Sequence, residues 1–366
     1  MKSGKQIQQG IVKFIDSMAT DRVGYYKYST ECPPTMLGSA FAGLALALCG
    51  QLEGIDAETK AKWVEYLQSC QDERTGLFIS PEFKSEDRKS EKHSDELLHA
   101  HSSTFVMALL HYLGALPKYP ITWIHEYRER EAMRRWIESL GWEKNAWVVG
   151  NWTYDMGCAI GVDHLVTGDS AAMDQAGHYF DWFDEHQKDD TGWWDLKEGG
   201  SALHEQQFGG YHTLMVYWMF DRPIARAERI IDSSLKLQHE DGMFDPDGGG
   251  GCCQDMDCID PLVQMGMVTD YRRNDIAKAL ERALVPILVK QTESGGIYDA
   301  LTWVRAEFGW QLCKASPGNP DACSNWFYPF SIALAGEFLG DEQLMDTTWH
   351  HHDSFGHCVK RTPVVK

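Results

Sequence analysis

Apolar residues recur along the chain in two alternating registers. Lys60 to Cys70, Ala171 to His186, Ala225 to Leu237 and Asp275 to Lys290 each carry an apolar stripe against a charged face, the pattern of a half-exposed helix. Leu98 to Leu113, Val148 to Val166, Tyr211 to Phe220 and Pro261 to Val268 are apolar almost all round, the pattern of a buried one. Alternating runs of Val, Ile and Thr are nearly absent, so the chain reads as all-α.

A short phrase follows each half-exposed segment. Its copies are Gln71-Asp72-Glu73-Arg74-Thr75-Gly76-Leu77-Phe78, Gln187-Lys188-Asp189-Asp190-Thr191-Gly192-Trp193-Trp194, Leu237-Gln238-His239-Glu240-Asp241-Gly242-Met243-Phe244 and Gln291-Thr292-Glu293-Ser294-Gly295-Gly296-Ile297-Tyr298. The step from Gln187 to Gln238 is 51 residues and from Gln238 to Gln291 is 53; Gln71 to Gln187, at 116, is about two steps. A fixed period of this size marks a repeat architecture. Helix pairs with one half-exposed and one buried member close most economically as two concentric rings, and six pairs account for the length. The expectation is one (α/α)6 toroid over residues 1–366, without a linker. The glycine of each phrase is expected to cap its outer helix, and the aromatic after it to pack between pairs. Ser80 to Ser94 reads as a surface loop.

Composition narrows the partners. A net charge of −20 repels nucleic acids and anionic glycans, and the basic residues Arg128, Arg130, Arg134 and Arg135 alternate with acids as on a solvated helix face. No run is apolar enough to span a bilayer; Met36 to Cys49 comes nearest and suits a buried helix. The first residues lack the apolar core of a secretory signal, so a cytoplasmic location is expected, with the ten cysteines as reduced, buried thiols.

The densest chemistry lies at Gly248-Gly249-Gly250-Gly251-Cys252-Cys253-Gln254-Asp255-Met256-Asp257-Cys258-Ile259-Asp260-Pro261. Here glycines form a bend leading into an apolar run, and three carboxyls are crowded beside it. Carboxyls crowded together in an apolar place hold their protons tightly, which makes a positioned acid. The plainer reading is that Asp255 and Asp257 cap the following helix.

The repeated Gln-x-x-Asp-Gly-Phe/Trp phrase resembles the repeat of the α/α-toroid superfamily of squalene-hopene cyclases, other class II terpene cyclases and protein prenyltransferase β subunits. Asp255-Met256-Asp257-Cys258 is similar to the Asp-x-Asp-Asp acid motif of the cyclases, with Cys258 in place of the last aspartate. The resemblance implies a class II cyclase acting on a polyprenyl or prenylated aromatic substrate through carbocations, with Asp257 as proton donor and Asp255 as its partner; Asp95, on a helix also expected to enter the cavity, is a fallback acid. Aromatic faces stabilise cations by roughly 0.5–2 kcal/mol each. Trp152, Tyr154, Tyr211, Trp218, Trp310, Trp326 and Tyr328, with His212, are the expected substrate wall; Trp193 reads as repeat packing.

His93, His99 and His101 gather at the start of an apolar helix without a second ligand set, and Cys252, Cys253 and Cys258 lack Cys-x-x-Cys spacing. No metal or cofactor is therefore expected. Nor is an obligate protein partner, whereas peripheral membrane contact suits a lipophilic substrate. The alternative is a glycan-active α/α barrel, a lyase or glycoside hydrolase, using Asn151, Tyr211, His212 and the tryptophans. Asp155 is a further polar group on an inner helix.

Overall fold

The computed structural model describes residues 2–351. Twelve α-helices order these residues: α1 (Gly4–Met18), α2 (Met36–Leu48), α3 (Ala57–Ser69), α4 (Asp95–Tyr112), α5 (Arg130–Glu138), α6 (Ala146–Thr167), α7 (Ala171–His186), α8 (Leu203–Met219), α9 (Ala227–Lys236), α10 (Cys252–Val268), α11 (Arg273–Val289) and α12 (Ser324–Leu339). The even-numbered helices pack each against the next and α12 returns to α2, so they close a ring. The odd-numbered helices lie outside it. This is an all-α, α/α toroid of six helix pairs.

Apolar pattern decides which ring a helix joins. Every residue of α2 is buried, whereas α3 buries only Trp63, Tyr66 and Leu67. Full burial of one large aliphatic or aromatic side chain is worth about 1.5–3 kcal/mol. A helix apolar all round is therefore stable only with neighbours on every side. Two glycines bring α6 and α8 closest: a side chain on Gly150 would run into the backbone of Gly209.

The repeated glutamine staples one pair to the next. Its side-chain nitrogen donates both to the glycine carbonyl of its own phrase and to a carbonyl of the following pair. Gln71 reaches Gly76 at 3.0 Å and Tyr119 at 2.9 Å. Gln187 reaches Gly192 at 2.8 Å and Ala225 at 2.9 Å. Gln238 reaches Gly242 at 2.9 Å and Ala279 at 2.7 Å. In the last copy Gln291 reaches Gly295 at 2.8 Å and Ile7 at 3.0 Å, and so joins the end of the ring to its beginning. Each bond to a buried carbonyl costs about 1–3 kcal/mol to leave unmade.

A second tie holds three of the four phrases from the inner side. The amide nitrogens of Phe78, Phe244 and Ile297 donate to side chains on the next inner helix: Ser103 on α4, Asp255 on α10 and Asn325 on α12. The glycine of the phrase is not the cap of its outer helix, as the sequence suggests. Helix α3 is capped at Cys70, well before Gly76. Gly76 and Gly242 instead turn the loop at φ of +78° and +93°, pressed against the backbone of Pro120 and Arg282.

A second difference lies at the glycine run. Helix α10 begins at Cys252, so Asp255 and Asp257 stand in its first two turns and not on a bend before it, with Pro261 inside the helix. The first amide is bound by Asp299, whose carboxylate accepts from the Cys252 nitrogen at 2.6 Å.

Two long connections lie together at one end of the ring. Residues 80–94 dock on residues 307–311: the Lys89 amide donates to the Gly309 carbonyl at 2.8 Å, and that of Gln311 to Asp87 at 2.9 Å. Two-residue antiparallel pairs, Tyr26–Lys27 with Pro34–Thr35 and Arg305–Ala306 with Lys314–Ala315, are the strands among the described residues. No described helix is long and apolar enough to cross a membrane.

Candidate active site

The N-terminal parts of five inner helices meet under these connections around a cavity of about 310 Å3. Helix α4 supplies His101 and Phe105, α6 Trp147 and Asn151, α8 His212, α10 Cys253, Gln254 and Asp257, and α12 Phe327. Residues 303–308 close over the top, with Lys92 and His93 beside them. Phe308 sits in the left-handed region at φ +48°, rare for an aromatic residue. Its ring is held edge-on by His93 at 4.9 Å and His101 at 5.0 Å.

Asp257 is 1% exposed, and its Oδ2 has no hydrogen-bond partner. Burial, then the negative charges of Cys253, Asp255 and Asp260, push its pKa well above the usual carboxylate range. Its surroundings thus favour the neutral acid over the carboxylate, on the wall of the cavity.

Its neighbours face elsewhere. Asp255 accepts from the Phe244 amide at 2.8 Å and from the Tyr328 hydroxyl at 3.2 Å. It holds the place that Ser103 and Asn325 hold in two of the other copies, tying the repeat loop to the inner helix. Burial raises its pKa to about 7 against the opposing Phe244 bond. Asp260 accepts from Tyr211 at 2.8 Å and Gln264 at 3.1 Å. The helix carries no side-chain cap of its own at its N-terminus, so Asp255 and Asp257 do not serve as one.

Across the cavity, His101 Nδ1 lies 2.8 Å from Asp155 Oδ1, and both residues are buried. Burial raises the Asp155 pKa to about 6 while His101 pulls it down. Above that pH the carboxylate fixes the tautomer with the proton on Nδ1 and leaves Nε2 as an acceptor. His212 Nδ1 is 2.6 Å from the Phe208 carbonyl, which can only accept, so its proton also sits on Nδ1. Burial holds His212 neutral, with a pKa of about 4. The two imidazoles are 6.0 Å apart. His93 is likewise lowered to about 4, chiefly by burial.

Of the residues expected from the sequence, Asp257 and His212 line the cavity, as does Asn151 of the glycan alternative. Asp95 does not: it is clasped by Arg88 and Ser85 at the surface, bonds that hold its pKa below the usual range. Tyr154 stands behind the two histidines, 5.8 Å from each ring. Trp218 packs against Tyr211, Trp310 against Phe83, Trp152 against Trp123, and Trp326 among Phe41, Phe105 and Phe327. Tyr211 and Tyr328 are spent on Asp260 and Asp255. The pairing of His101 with Asp155 escaped the sequence because the two stand on neighbouring inner helices 54 positions apart.

One cluster has a metal-like outline. The sulphurs of Cys252, Cys253 and Cys323 lie within 4.8 Å of one another. The Arg305 guanidinium donates to all three, at 3.1–3.2 Å, and so puts a positive charge where a cation would have to sit. These residues do not fit a metal ion.

No family model and no curated protein sequence matches this chain. Among solved structures it is similar to a type II terpene cyclase, MstE from Scytonema, in complex with merosterolic acid A, at 11% identity and TM-score 0.49, covering 92% of this chain and 98% of that one. It is also similar to a glycosyl hydrolase family 88 protein from Bacteroides vulgatus, at 12% identity and TM-score 0.46, covering 92% and 99%. The α-1,6-mannanase GH76A of Salegentibacter sp. HEL1_6 stands at 10% identity and TM-score 0.48, covering 91% and 98%. At such identities these likenesses say nothing of a substrate.

Proposed function

We propose that the cavity is the active site of a protonation-initiated, class II type terpene cyclase acting on a short isoprenoid or a prenylated aromatic compound. The observation that carries this reading is Asp257: a buried carboxyl without a partner at Oδ2, kept protonated, on a wall that includes Phe105, Phe327, Trp147 and Phe308. A carbon–carbon double bond is protonated only by an acid that is not already ionised.

The proposed sequence begins with Asp257 giving its proton to the terminal alkene of the bound chain. The resulting tertiary cation is attacked by the next double bond, which closes a ring, and the aromatic faces stabilise the charge by roughly 0.5–2 kcal/mol apiece. His101 Nε2, oriented through Nδ1 by Asp155, takes a proton from the adjacent carbon and restores an alkene. Return of that proton to Asp257 completes an isomerisation with no net gain or loss of atoms.

The cavity bounds the substrate. At about 310 Å3 it lies at the lower end of the roughly 300–1,000 Å3 of ligand pockets, which favours a few prenyl units over a long polyprenyl chain. Asn145, Asn151 and Gln254 offer hydrogen bonds to a polar head group. Leu301 and Val304, 65% and 52% exposed near the closing segment, suit the approach of a lipophilic molecule from a membrane surface.

Glu307, a second carboxyl on the cavity, favours the glycan-active alternative, since sugar hydrolysis uses two carboxyls. That carboxylate is engaged by Tyr28 at 2.5 Å and Arg305 at 2.6 Å, which leaves it poorly placed to serve as acid or base. The test is incubation with prenyl alcohols and prenylated phenols, followed by chromatography and mass spectrometry. Cyclisation gives a product of unchanged mass and altered retention. Release of sugar from oligosaccharides, with no such isomer, would replace this reading by the glycan one.

A further inference from the structure

The thiols around Arg305 neither give nor take a proton in the proposed reaction, and one of them, Cys253, stands on the same cavity. We propose that Cys253 is a reactive thiol that peroxide oxidises, with Cys323 as the partner that resolves it to a disulfide, a two-electron redox site in the cavity wall.

Placement separates the three sulphurs. Cys252 and Cys323 are fully buried, whereas Cys253 is half-buried and lines the cavity. Cys253 occupies the first turn of α10, where the free amides favour a negative charge. Arg305 divides its donors: Nε goes to Glu307 and Tyr28, Nη1 to Asp299 and Cys252, and Nη2 to Cys253 at 3.2 Å and Cys323 at 3.1 Å. Two carboxylates thus share the guanidinium, yet one of its amino groups is given to the sulphur pair. Hydrogen bonds from Cys252 and Cys323, together with Arg305, hold the Cys253 thiol well below its ordinary range, while burial pushes those of Cys252 and Cys323 up. One thiolate with two thiols as donors is the arrangement that results.

The chemistry balances with hydrogen peroxide as oxidant. The Cys253 thiolate attacks one peroxide oxygen, the O–O bond breaks, and the departing hydroxide takes a proton to become water. Cys253 is left as a sulphenic acid. The Cys323 sulphur, giving up its proton, then attacks the Cys253 sulphur; the S–O bond breaks, an S–S bond forms, and hydroxide leaves with that proton as a second water. Two thiols have lost two electrons and two protons, and one peroxide has become two waters. Sulphurs within 4.8 Å reach bonding distance by side-chain rotation and small backbone shifts.

Peptide mapping of the native full-length protein tests the site. After graded hydrogen peroxide, remaining thiols are blocked and the unreduced digest is read by mass spectrometry. The expected first product is a Cys253–Cys323 cross-linked peptide. In C323S, treated in the presence of dimedone, the adduct is expected on Cys253. Without peroxide, iodoacetamide should modify Cys253 at least about ten-fold faster than Cys32, Cys49 or Cys70. The wild-type map stands even if C323S fails to fold. Oxidation that begins at other cysteines while Cys253 stays free, or alkylation of Cys253 no faster than theirs, overturns the proposal.

Discussion

The starts of α4 and α10 look alike in sequence and differ in what surrounds them. Each opens an inner helix with acidic residues: Asp95 and Glu96 on α4, Asp255 and Asp257 on α10. Asp95 meets a guanidinium and a hydroxyl at the surface, so it is ionised and serves as a clasp for the 80–94 connection. Asp257 is buried on the cavity wall beside other negative charges, with no partner at Oδ2, so its surroundings favour the protonated form. Identical side chains become a structural anion or a neutral acid according to burial and partners alone. Within α10 the contrast recurs over two residues, because a helix turns Asp255 toward the repeat loop and Asp257 toward the cavity.

Substitutions at these positions separate the two kinds of carboxyl. Asp257→Asn keeps the size and removes the proton, and is expected to lower cyclisation by roughly 10²–10⁴-fold with the fold intact, measured as product formed per unit time. Asp155→Asn should cost about 10²-fold, since His101 loses the group that fixes its tautomer; a pH–rate profile that loses its limb near pH 6 distinguishes this from misfolding. Asp255→Ala leaves the Phe244 amide buried without an acceptor and should lower stability by about 1–3 kcal/mol in denaturant melts. Asp95→Asn should change turnover by less than two-fold, within the small effect of an exposed ion pair.

Stability against pH sharpens the same contrast. A carboxyl with a raised folded pKa binds its proton more tightly in the fold than in the open chain, where it titrates near 4. Its contribution is therefore complete at low pH and is lost as pH rises from about 4 through the folded pKa, by up to about 1.4 kcal/mol per pH unit. For Asp255 that window closes near pH 7; for Asp257 it extends further. The melting temperature of Asp257→Asn should thus gain on that of the wild type as pH goes from 4 to 8. Asp95→Asn should show no such trend between pH 4 and 8: the folded pKa of Asp95 is lowered, so its contribution is complete above about 4 and is lost only as pH falls below that.

Much of the ring is legible in the sequence because its causes are local. Segments apolar all round had to be inner helices, and the spaced glutamines mark the joints, although their double bonds to successive pairs emerge only in three dimensions. The start of α10 was misread for a non-local reason: the amide of Cys252 is capped by Asp299, 47 residues away, so four glycines and Pro261 looked like a bend followed by a helix start. The choice of wall aromatics failed where the pattern is least informative. A helix buried on every side gives no sign of which face looks into the cavity, so Tyr211, Trp218 and Trp326 could not be told from Phe105 and Phe327. Asp95 was readable in principle, since its partner Arg88 lies seven residues before it in the same connection.

The central claim is that Asp257 is protonated at neutral pH, and carbon NMR of aspartate-labelled protein tests it most directly, with Asp257→Asn to assign the resonance. The account predicts a side-chain carboxyl signal at the neutral position at pH 7, absent from Asp257→Asn, that is still unshifted where Asp95 has long been ionised. An Asp257 signal that titrates near 4, together with the exposed aspartates, would contradict it.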